Sequence, residues 1–214
     1  MEDRRTPGLY LELADAAPGP YGTDRAPTVA AGTGITRASW WSNQHPDRDD
    51  VPRRLAEFTT LGVYELSDGF TPPTTPDGIA GLPFAATPRP GQGVLGGDAT
   101  NGLLLVLISP RTAEEGQDLR DWGDFVHIRH IAEAAVPGYR MITPYEQVGG
   151  VEPRYLHFYE MVTDDPEATY KSMTPRVQER LGPPGTPTYD DWAWHPALRI
   201  DYVNTFRLEG ELVL

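Results

Sequence analysis

The stretch at residues 121–160, DWGDFVHIRHIAEAAVPGYRMITPYEQVGGVEPRYLHFYE, predicts one helix followed by two strands. The helical part carries two histidines and ends at Pro137-Gly138, because glycine accepts the backbone conformation of a helix C-terminus and proline does not continue a helix. Gly149-Gly150 marks the turn between the strands. Residues 34–66, GITRASWWSNQHPDRDDVPRRLAEFTTLGVYEL, repeat the strand part weakly. Two copies of one β-rich unit predict a fold built by duplication.

The elements around this stretch extend the prediction to the whole chain. The patterns predict further strands at 9–13, 35–41, 61–66, 103–108 and 200–208, and helices at 112–136 and 165–181. In the second half the order is strand, helix, strand, strand, helix, strand, which is the ferredoxin-like, split βαβ arrangement. In the first half the strands are kept, with at most a short helix near 28–31.

These patterns predict three parts. Residues 1–70 form a degenerate ferredoxin-like unit, residues 71–98 form a linker, and residues 99–214 form a complete unit. The linker is rich in proline and glycine, which leaves little room for regular structure.

Composition excludes several classes of function. The 214 residues carry a net charge of −13, which disfavours nucleic acid and anionic membrane surfaces. No cysteine is present, so disulfides, thiolate nucleophiles and cysteine-ligated metals are excluded. The apolar run at 103–108 is too short to span a bilayer, and the N-terminus has no apolar signal core, so a cytoplasmic location is expected.

Four features of the second half form a recognisable pattern. They are an acidic-aromatic pair, a histidine five residues after the aromatic, a Pro-Gly-aromatic triplet and a Pro-Arg-Tyr-x-x-x-Tyr-Glu strand, here Asp124-Phe125, His130, Pro137-Gly138-Tyr139 and 153–160. This pattern resembles EthD-like proteins of the dimeric α+β barrel superfamily. The resemblance implies an α+β fold in which two ferredoxin-like units form a barrel with antiparallel sheets. It implies small-molecule chemistry that ranges from cyclases, isomerases and lyases to monooxygenases and haem-degrading enzymes.

The histidine helix provides the first candidate site. At about 100° per residue, an apolar stripe that includes Phe125 should pack on the sheet. His130 falls nearly opposite, in a row with Trp122 and Val126 that should line a pocket or meet a partner subunit. With the resemblance, His130 is interpreted as the base, and Trp122, Val126 and His127 as substrate contacts. Without it, His130 is a surface histidine.

A metal site is not expected on this helix. His127 and His130 lack the i, i+4 spacing of zinc-binding helices, and no nearby carboxylate completes a ligand set.

The two strands after the helix supply further candidates. Tyr155, His157 and Tyr159 alternate along one strand and therefore share a face, which could line a cleft. Alternatively, His157 is a buried histidine satisfied by one hydrogen bond. On the preceding strand, Tyr145 is a candidate acid–base helper, and Arg140 is a candidate substrate contact on the opposite face.

Tryptophans mark two more regions. Trp40 and Trp41 are adjacent on a strand, so one should be core and Trp40 is interpreted as a pocket wall. The loop 186–196 concentrates Trp192 and Trp194 and is either a lid or a loop pinned to the core. Walker, Gly-x-Ser-x-Gly and dinucleotide-binding motifs are absent, so phosphate and nicotinamide chemistry are not expected.

The residues therefore predict a small-molecule enzyme without a cofactor. We expect acid–base catalysis by His130, Tyr145, His157 and Tyr159 on a hydrophobic, oxygen-bearing substrate such as an aromatic or polyketide-type ketone. The reaction would be isomerisation, cyclisation, dehydration or lyase-type elimination. Two alternatives stay open: a cofactor-independent or haem-dependent monooxygenase, and a non-catalytic protein that binds a small ligand. A homodimer is also left open.

Overall fold

The computed structural model of the protein describes residues 6–93 and 99–214. Residues 1–5 of the expected first unit and residues 94–98 of the expected linker lie outside the described residues. Among the described residues, no helix has both the length and the apolar composition needed to cross a bilayer.

Nine strands of the described chain pair into one antiparallel sheet. They are β1 (Gly8–Ala14), β2 (Ile35–Asn43), β3 (Thr60–Leu66), β4 (Ile79–Ala86), β5 (Gln92–Gly93), β6 (Gly102–Pro110), β7 (Tyr139–Gln147), β8 (Tyr155–Met161) and β9 (Leu198–Val213).

The helices flank this sheet. Helix α1 spans residues 18–30 and helix α2 spans residues 113–133, and each contains an internal π turn, at Tyr21–Arg25 and at Gly123–His127 respectively. Helices α3 (Pro166–Leu181) and α4 (Pro187–Ala193) follow β8.

The sheet closes into an eight-stranded barrel within one chain. Its order is β4-β1-β3-β2-β9-β6-β8-β7, with β4 paired to β7 across the closure and the short β5 on the edge of β7. The first four strands of this order and the last four are the same ferredoxin-like arrangement, and β2–β9 and β4–β7 join the two. The predicted α+β barrel of two ferredoxin-like units is confirmed.

The inward face of the barrel is built mainly from apolar side chains. Leu11 of β1, Leu61 of β3, Leu105 of β6 and Leu156 of β8 are fully buried in a single cluster that draws on both halves. Alternation along each strand then places the neighbouring residues on the outer face. Helix α1 covers this outer face in the first half, and α2, α3 and α4 cover it in the second half.

The predicted starts of both helices of the second half and the predicted end of α3 are confirmed, whereas α2 ends at Glu133 and not at residue 136. Thr112 and Glu115 form a capping box at the start of α2. Asp165 accepts a hydrogen bond from the Ala168 amide at the start of α3, and Gly182 ends that helix with φ +91°.

The predicted apolar stripe of α2 is wrong at Phe125, which is 51% exposed. The π turn at Gly123–His127 adds one residue to a helical turn, so the straight 3.6-residue phase is lost at this point. Ile128 and Ile131 beyond the turn are buried. The same phase shift brings the half-buried His127 toward the sheet.

The expectation of little regular structure at 71–98 does not hold for β4, which lies within it. Strand β4 pairs with β1 over its whole length despite Pro83. The Pro83 carbonyl accepts from the Val148 amide, on the β7 side, so the missing N–H of this proline is on the side away from β1. The three-part division of the chain itself stays a prediction.

Two helical segments are longer than the sequence predicts. Helix α1 covers residues 18–30, where only a short helix was expected, and α4 occupies much of the expected loop at 186–196. Both begin with a proline in the first turn, at Pro18 and Pro187, which is compatible with a helix start because the first amides of a helix need no partner.

The contact between α1 and β3 should be intolerant of any added atom. A Cβ at Gly62 would lie 1.9 Å from Tyr21 Oη, and this hydroxyl is fixed by hydrogen bonds to Glu12 and Tyr64. Gly62→Ala should therefore lower the free energy of unfolding by about 1–3 kcal/mol, measured by urea denaturation. Gly19→Ala, which meets nothing within 4 Å, is the matched control and should cause no loss. Equal stability of the two variants would contradict the contact.

Candidate functional site

A cavity of about 150 Å³ lies between the outer face of the second half of the barrel and its helices. Strands β6 and β9 provide an apolar floor that includes Leu104, Val106, Ile200 and Val203, and Met173 of α3 and Ala193 of α4 close the sides. A smaller set of polar and aromatic side chains faces the same space. They are Trp122, His127, His157, Tyr159 and Tyr170.

Strand β8 provides the central polar groups of the cavity. His157 and Tyr159 point outward to the helices, while Leu156 and Phe158 point into the barrel, so the predicted common face is confirmed. Tyr155 lies on the same face, beside a narrow gap that adjoins His157.

His157 is held in the neutral form. It is 3% exposed, and burial lowers its pKa to about 3, with His127 nearby acting in the same direction. Within residues 6–93 and 99–214, its ring has no hydrogen-bond partner, and the Tyr159 hydroxyl has none either. Burial raises the pKa of Tyr159, with Tyr170 adding to the effect, so this hydroxyl stays protonated.

His127 has a defined tautomer. Its Nδ1 lies 2.9 Å from the Trp192 carbonyl oxygen, and a carbonyl only accepts, so Nδ1 carries the proton and Nε2 carries a lone pair. The ring stacks on the Trp192 indole with centroids 5.4 Å apart, and the Trp122 ring lies 4.9 Å from it. Burial lowers the pKa of His127 below its usual value, against the opposing effect of the Trp192 hydrogen bond.

Helix α4 is pinned to α2 by two indoles. Trp192 Nε1 donates to the His127 carbonyl at 3.2 Å, and Trp122 Nε1 donates to the Asp191 carbonyl at 2.6 Å. Both alternatives for the 186–196 segment therefore have some basis, because the segment is fixed to the helix and also forms a cavity wall. Trp194, in contrast, is 53% exposed and does not line the cavity.

The first half of the chain contributes a cover to this cavity. The connection at 44–59 crosses from β2 to β3 and places Val51 in the cavity wall. Arg48, only 2% exposed, pairs with Glu167 at the start of α3. Its guanidinium lies 4.9 Å from the centre of the Tyr170 ring, so a charged group closes the apolar site from outside.

A buried carboxylate adjoins the cavity. Asp124 in the π turn of α2 is 4% exposed, and its Oδ2 has no hydrogen-bond partner, with Arg89 Nε at 3.9 Å. Asp124 and His157 border one gap that has no room for a water molecule. Burial raises the pKa of Asp124 to about 6, although the Arg89 and Arg120 guanidinium groups oppose the shift.

The structure places His130 and Tyr145 away from the cavity. His130 lies on the side of α2 with Nδ1 3.6 Å from Glu133 Oε2, and its side chain is 22% exposed. Tyr145 packs in the barrel interior and borders the gap of Asp124. Their catalytic roles stay predictions, while the geometry brings together the other two members of the predicted set, His157 and Tyr159.

The predicted substrate contacts divide in the same way. Trp122 and His127 line the cavity, and Trp192 braces His127 from behind. The others do not line it: Val126 packs beside Trp122 in a neighbouring cluster, Arg140 donates to the Tyr139 carbonyl at the edge of the sheet, and Trp40 lies against Gly22 and Gly210 in the first half.

Sequence reasoning missed Val51, Tyr170 and Asp124 as site residues. A signal existed for Tyr170, which is three residues before Met173 and so shares its helix face. For Asp124 the signal was its place in the recognised pattern. Val51 had none, because only the folded course of the 44–59 connection brings it to the other half.

The buried Asp124 carboxylate, whose Oδ2 accepts no hydrogen bond, should weaken the fold at neutral pH. Its pKa is raised from 3.8 to about 6, so the native state binds the extra proton between these values and loses stability as the pH rises through them. Asp124→Asn should therefore raise the free energy of unfolding at pH 8 by up to about 3 kcal/mol and have little effect below pH 4, measured by urea denaturation.

Asp121→Asn is the control with the opposite sign. The hydrogen bond from Arg89 lowers the pKa of Asp121, so its removal should weaken the fold at pH 8. A stability loss on Asp124→Asn at pH 8 would mean that the carboxylate is well compensated in the native state.

Comparison with known proteins relates the fold to solved structures. No known family model matches this sequence, and no curated protein matches it. An anthrone oxidase-like protein superimposes with a TM-score of 0.53 at 13% identity, covering 97% of this chain and 93% of that one. A candidate monooxygenase from Fusobacterium nucleatum gives 0.53 at 7% identity, covering 98% and 95%.

A third similar structure is matched over its whole length. A candidate monooxygenase from Lactobacillus acidophilus gives a TM-score of 0.52 at 10% identity, over 98% of this chain and 100% of that one. At these identities the likeness establishes the fold alone. The protein has the dimeric α+β barrel fold, closed here within a single polypeptide.

Proposed function

We propose that the protein is a small-molecule enzyme that removes a proton from an apolar, oxygen-bearing substrate of about one ring in size. The observation that supports this most is the set of polar groups without partners in an otherwise apolar cavity: the His157 ring, the Tyr159 hydroxyl and Nε2 of His127. Buried polar groups are normally hydrogen-bonded, so a ligand with its own polar atom is the natural partner.

The size and lining of the cavity favour a monocyclic ketone or phenol. A dry cavity of about 150 Å³ is known to hold one benzene molecule. Leu104, Val106 and Ile200 would contact the hydrocarbon part of such a ligand. The oxygen atom would be recognised by Tyr159, the protonated hydroxyl on the floor.

His127 is the base that this geometry favours. Its Nδ1–H is bound to the Trp192 carbonyl, which fixes the ring and leaves the Nε2 lone pair as the acceptor. Its lowered pKa keeps the imidazole unprotonated at neutral pH, so the base is ready before the substrate binds. The two flanking indoles hold the ring plane, which limits motion away from the substrate.

The proposed step is the conversion of a ketone to its enolate. The Cα–H bond breaks, the proton moves to Nε2 of His127, and the electron pair of that bond moves onto the carbonyl oxygen. The Tyr159 hydroxyl donates a hydrogen bond to the developing oxyanion. Return of the proton at another carbon gives isomerisation, attack on a second carbonyl gives cyclisation, and loss of a leaving group gives dehydration or elimination.

A cofactor-independent monooxygenase is the second candidate. The similarity of this fold to an anthrone oxidase-like protein and to two candidate monooxygenases supports it. Removal of a proton from the substrate would be the first step of this reaction as well. A carbanion formed in the cavity would supply the electrons that reduce O₂. A haem-dependent reaction fits poorly, because a cavity sized for one ring does not accept a macrocycle of four pyrroles.

EthD-like membership, a homodimer and a cytoplasmic location stay predictions. A non-catalytic ligand-binding role is the third candidate, and it predicts that cyclohex-3-en-1-one binds to the protein without being converted.

The base assignment can be tested with cyclohex-3-en-1-one, whose isomerisation to the conjugated enone is followed by ultraviolet absorbance. His127→Gln should lower kcat/KM by about 10²-fold or more, because the proton acceptor is lost. Tyr159→Phe should lower it by a smaller factor through loss of the oxyanion hydrogen bond. His45→Gln, the same change in the first half of the chain, is the control.

His130→Gln separates the geometric assignment from the base predicted on sequence. A loss of rate on His130→Gln with none on His127→Gln would return the base to His130. Binding of the enone without isomerisation by the unaltered protein would support the ligand-binding role instead.

Oxygen uptake distinguishes the two catalytic candidates. With cyclohex-3-en-1-one we expect rearranged product and no O₂ consumption, measured with an oxygen electrode. Hydroquinone provides the oxidisable comparison of similar size. Consumption of O₂ together with transfer of one oxygen atom from ¹⁸O₂ into the product, abolished by His127→Gln, would favour the monooxygenase.

A further inference from the structure

We propose that Val51, which reaches the cavity from the first half of the chain, limits the size of the group that a substrate carries opposite its oxygen atom. This inference rests on the proposed function, because it takes that oxygen to be bound by the Tyr159 hydroxyl. It adds the class of substrate that the site selects, which is a ring with no substituent, or only a small one, at the position opposite the oxygen.

The connection between β2 and β3 brings Val51 to the edge of the second-half sheet. Strand β2 pairs with the second half of β9, and the connection that follows β2 runs along the first half of β9. The Gln44 amide donates to the Thr205 carbonyl at 2.9 Å, and the Arg54 amide donates to the Asp201 carbonyl at 2.8 Å. Val51 lies between these two anchors, so its place beside β9 is defined at both ends.

Arg48 fixes the same connection to the floor and to the helix above the cavity. Its Nη1 donates to Asp50 Oδ1 of the connection at 2.9 Å, and its Nε donates to Asn204 Oδ1 of β9 at 3.2 Å. It also pairs with Glu167 of α3. Because one buried side chain joins these three elements, the wall that carries Val51 is held in a fixed position relative to the cavity.

Val51 and the proposed oxygen-binding group lie at opposite edges of the cavity floor. The strand order across the floor is β9-β6-β8, with Tyr159 on β8 and Val203 on β9. Neighbouring strands are about 4.8 Å apart, so β8 and β9 are separated by roughly 10 Å. Val51 enters from the β9 side, where its connection is anchored. A ring that lies between the sheet and the helices with its oxygen at Tyr159 therefore directs its opposite carbon toward Val51.

A fixed apolar side chain at this place selects by exclusion. An alkyl group on the opposite carbon would overlap with the isopropyl group of Val51. A polar group there would lose its hydration without gaining a hydrogen bond from the valine side chain. One methylene group more or less in an apolar pocket changes recognition by roughly 10- to 200-fold, so a single valine is sufficient for a clear preference.

The test uses phenol, which has the shape of an enol and cannot isomerise, so its binding does not depend on turnover. 4-Ethylphenol adds two carbons opposite the oxygen, which is the number that Val51→Ala removes, and 3-ethylphenol adds them at the neighbouring position. Dissociation constants are measured by isothermal titration calorimetry with the full chain. The unaltered protein should bind 4-ethylphenol more weakly than phenol. Val51→Ala should change the ratio of the two constants by about 10-fold or more in favour of 4-ethylphenol, and change the ratio for 3-ethylphenol less.

Two further variants provide the opposite sign and the control. Val51→Ile adds one methylene group to the wall and should change the ratio against 4-ethylphenol. Val148→Ala removes the same atoms as Val51→Ala from a valine that is 54% exposed in the turn between β7 and β8. It should leave the ratio unchanged.

The outcomes separate this inference from the proposed function. An unchanged ratio in Val51→Ala, with phenol still bound, would overturn the inference and leave the proposed function standing. A gain for 3-ethylphenol in place of 4-ethylphenol would also overturn it, because the ring would then lie in another direction. Absence of phenol binding to the unaltered protein would overturn it as well, and the isomerisation of cyclohex-3-en-1-one by the same protein would show whether the proposed function falls with it.

Discussion

Closure of the barrel dictates where this protein can have a site. Both halves send the inward residues of their strands into one apolar cluster, and Leu11, Leu61, Leu105 and Leu156 are completely buried there. In the described residues the eight main strands are paired on both sides and their inward cluster is packed, whereas the cavity lies on the outer face beneath the helices. Outward-facing residues of the strands therefore decide which half can bind a ligand.

The two halves differ in which element carries the large side chain where the helix contacts the sheet. In the first half the helix carries it, and in the second half the strand carries it. In the first half, Glu12 of β1 pairs with Gly62 of β3, and Tyr21 of α1 fills the space over that glycine. At the matching position of the second half, β6 and β8 pair through His157, and the α2 residue above it is Gly123. Each close contact falls at the first residue of a π turn. A large helix residue seals the first half, whereas a small one leaves room for a histidine in the second.

The sequence allowed the strands and the outward face of β8 to be predicted, because alternation with period two depends only on local backbone geometry. It failed for the apolar stripe of α2, because the π turn exposes Phe125 and changes the side of the helix that His127 faces. No pattern in a single sequence marks a π turn. Strand β4 was missed because Pro83 is tolerated only through its partner strands, and the role of Val51 depends on a contact between the two halves.

The two halves differ in how well their buried carboxylates are compensated by hydrogen bonds. In the first half the buried Glu12 carboxylate accepts from Arg25 Nε at 3.0 Å and from the Tyr21 hydroxyl at 2.8 Å, so its desolvation is offset. In the second half Asp124 lacks such donors, and a cavity of about 150 Å³ remains between the sheet and the helices. A fold that could have closed both halves with the Tyr21 arrangement keeps one open and underpacked. Such underpacking is typical of a site whose missing contacts are supplied by a ligand.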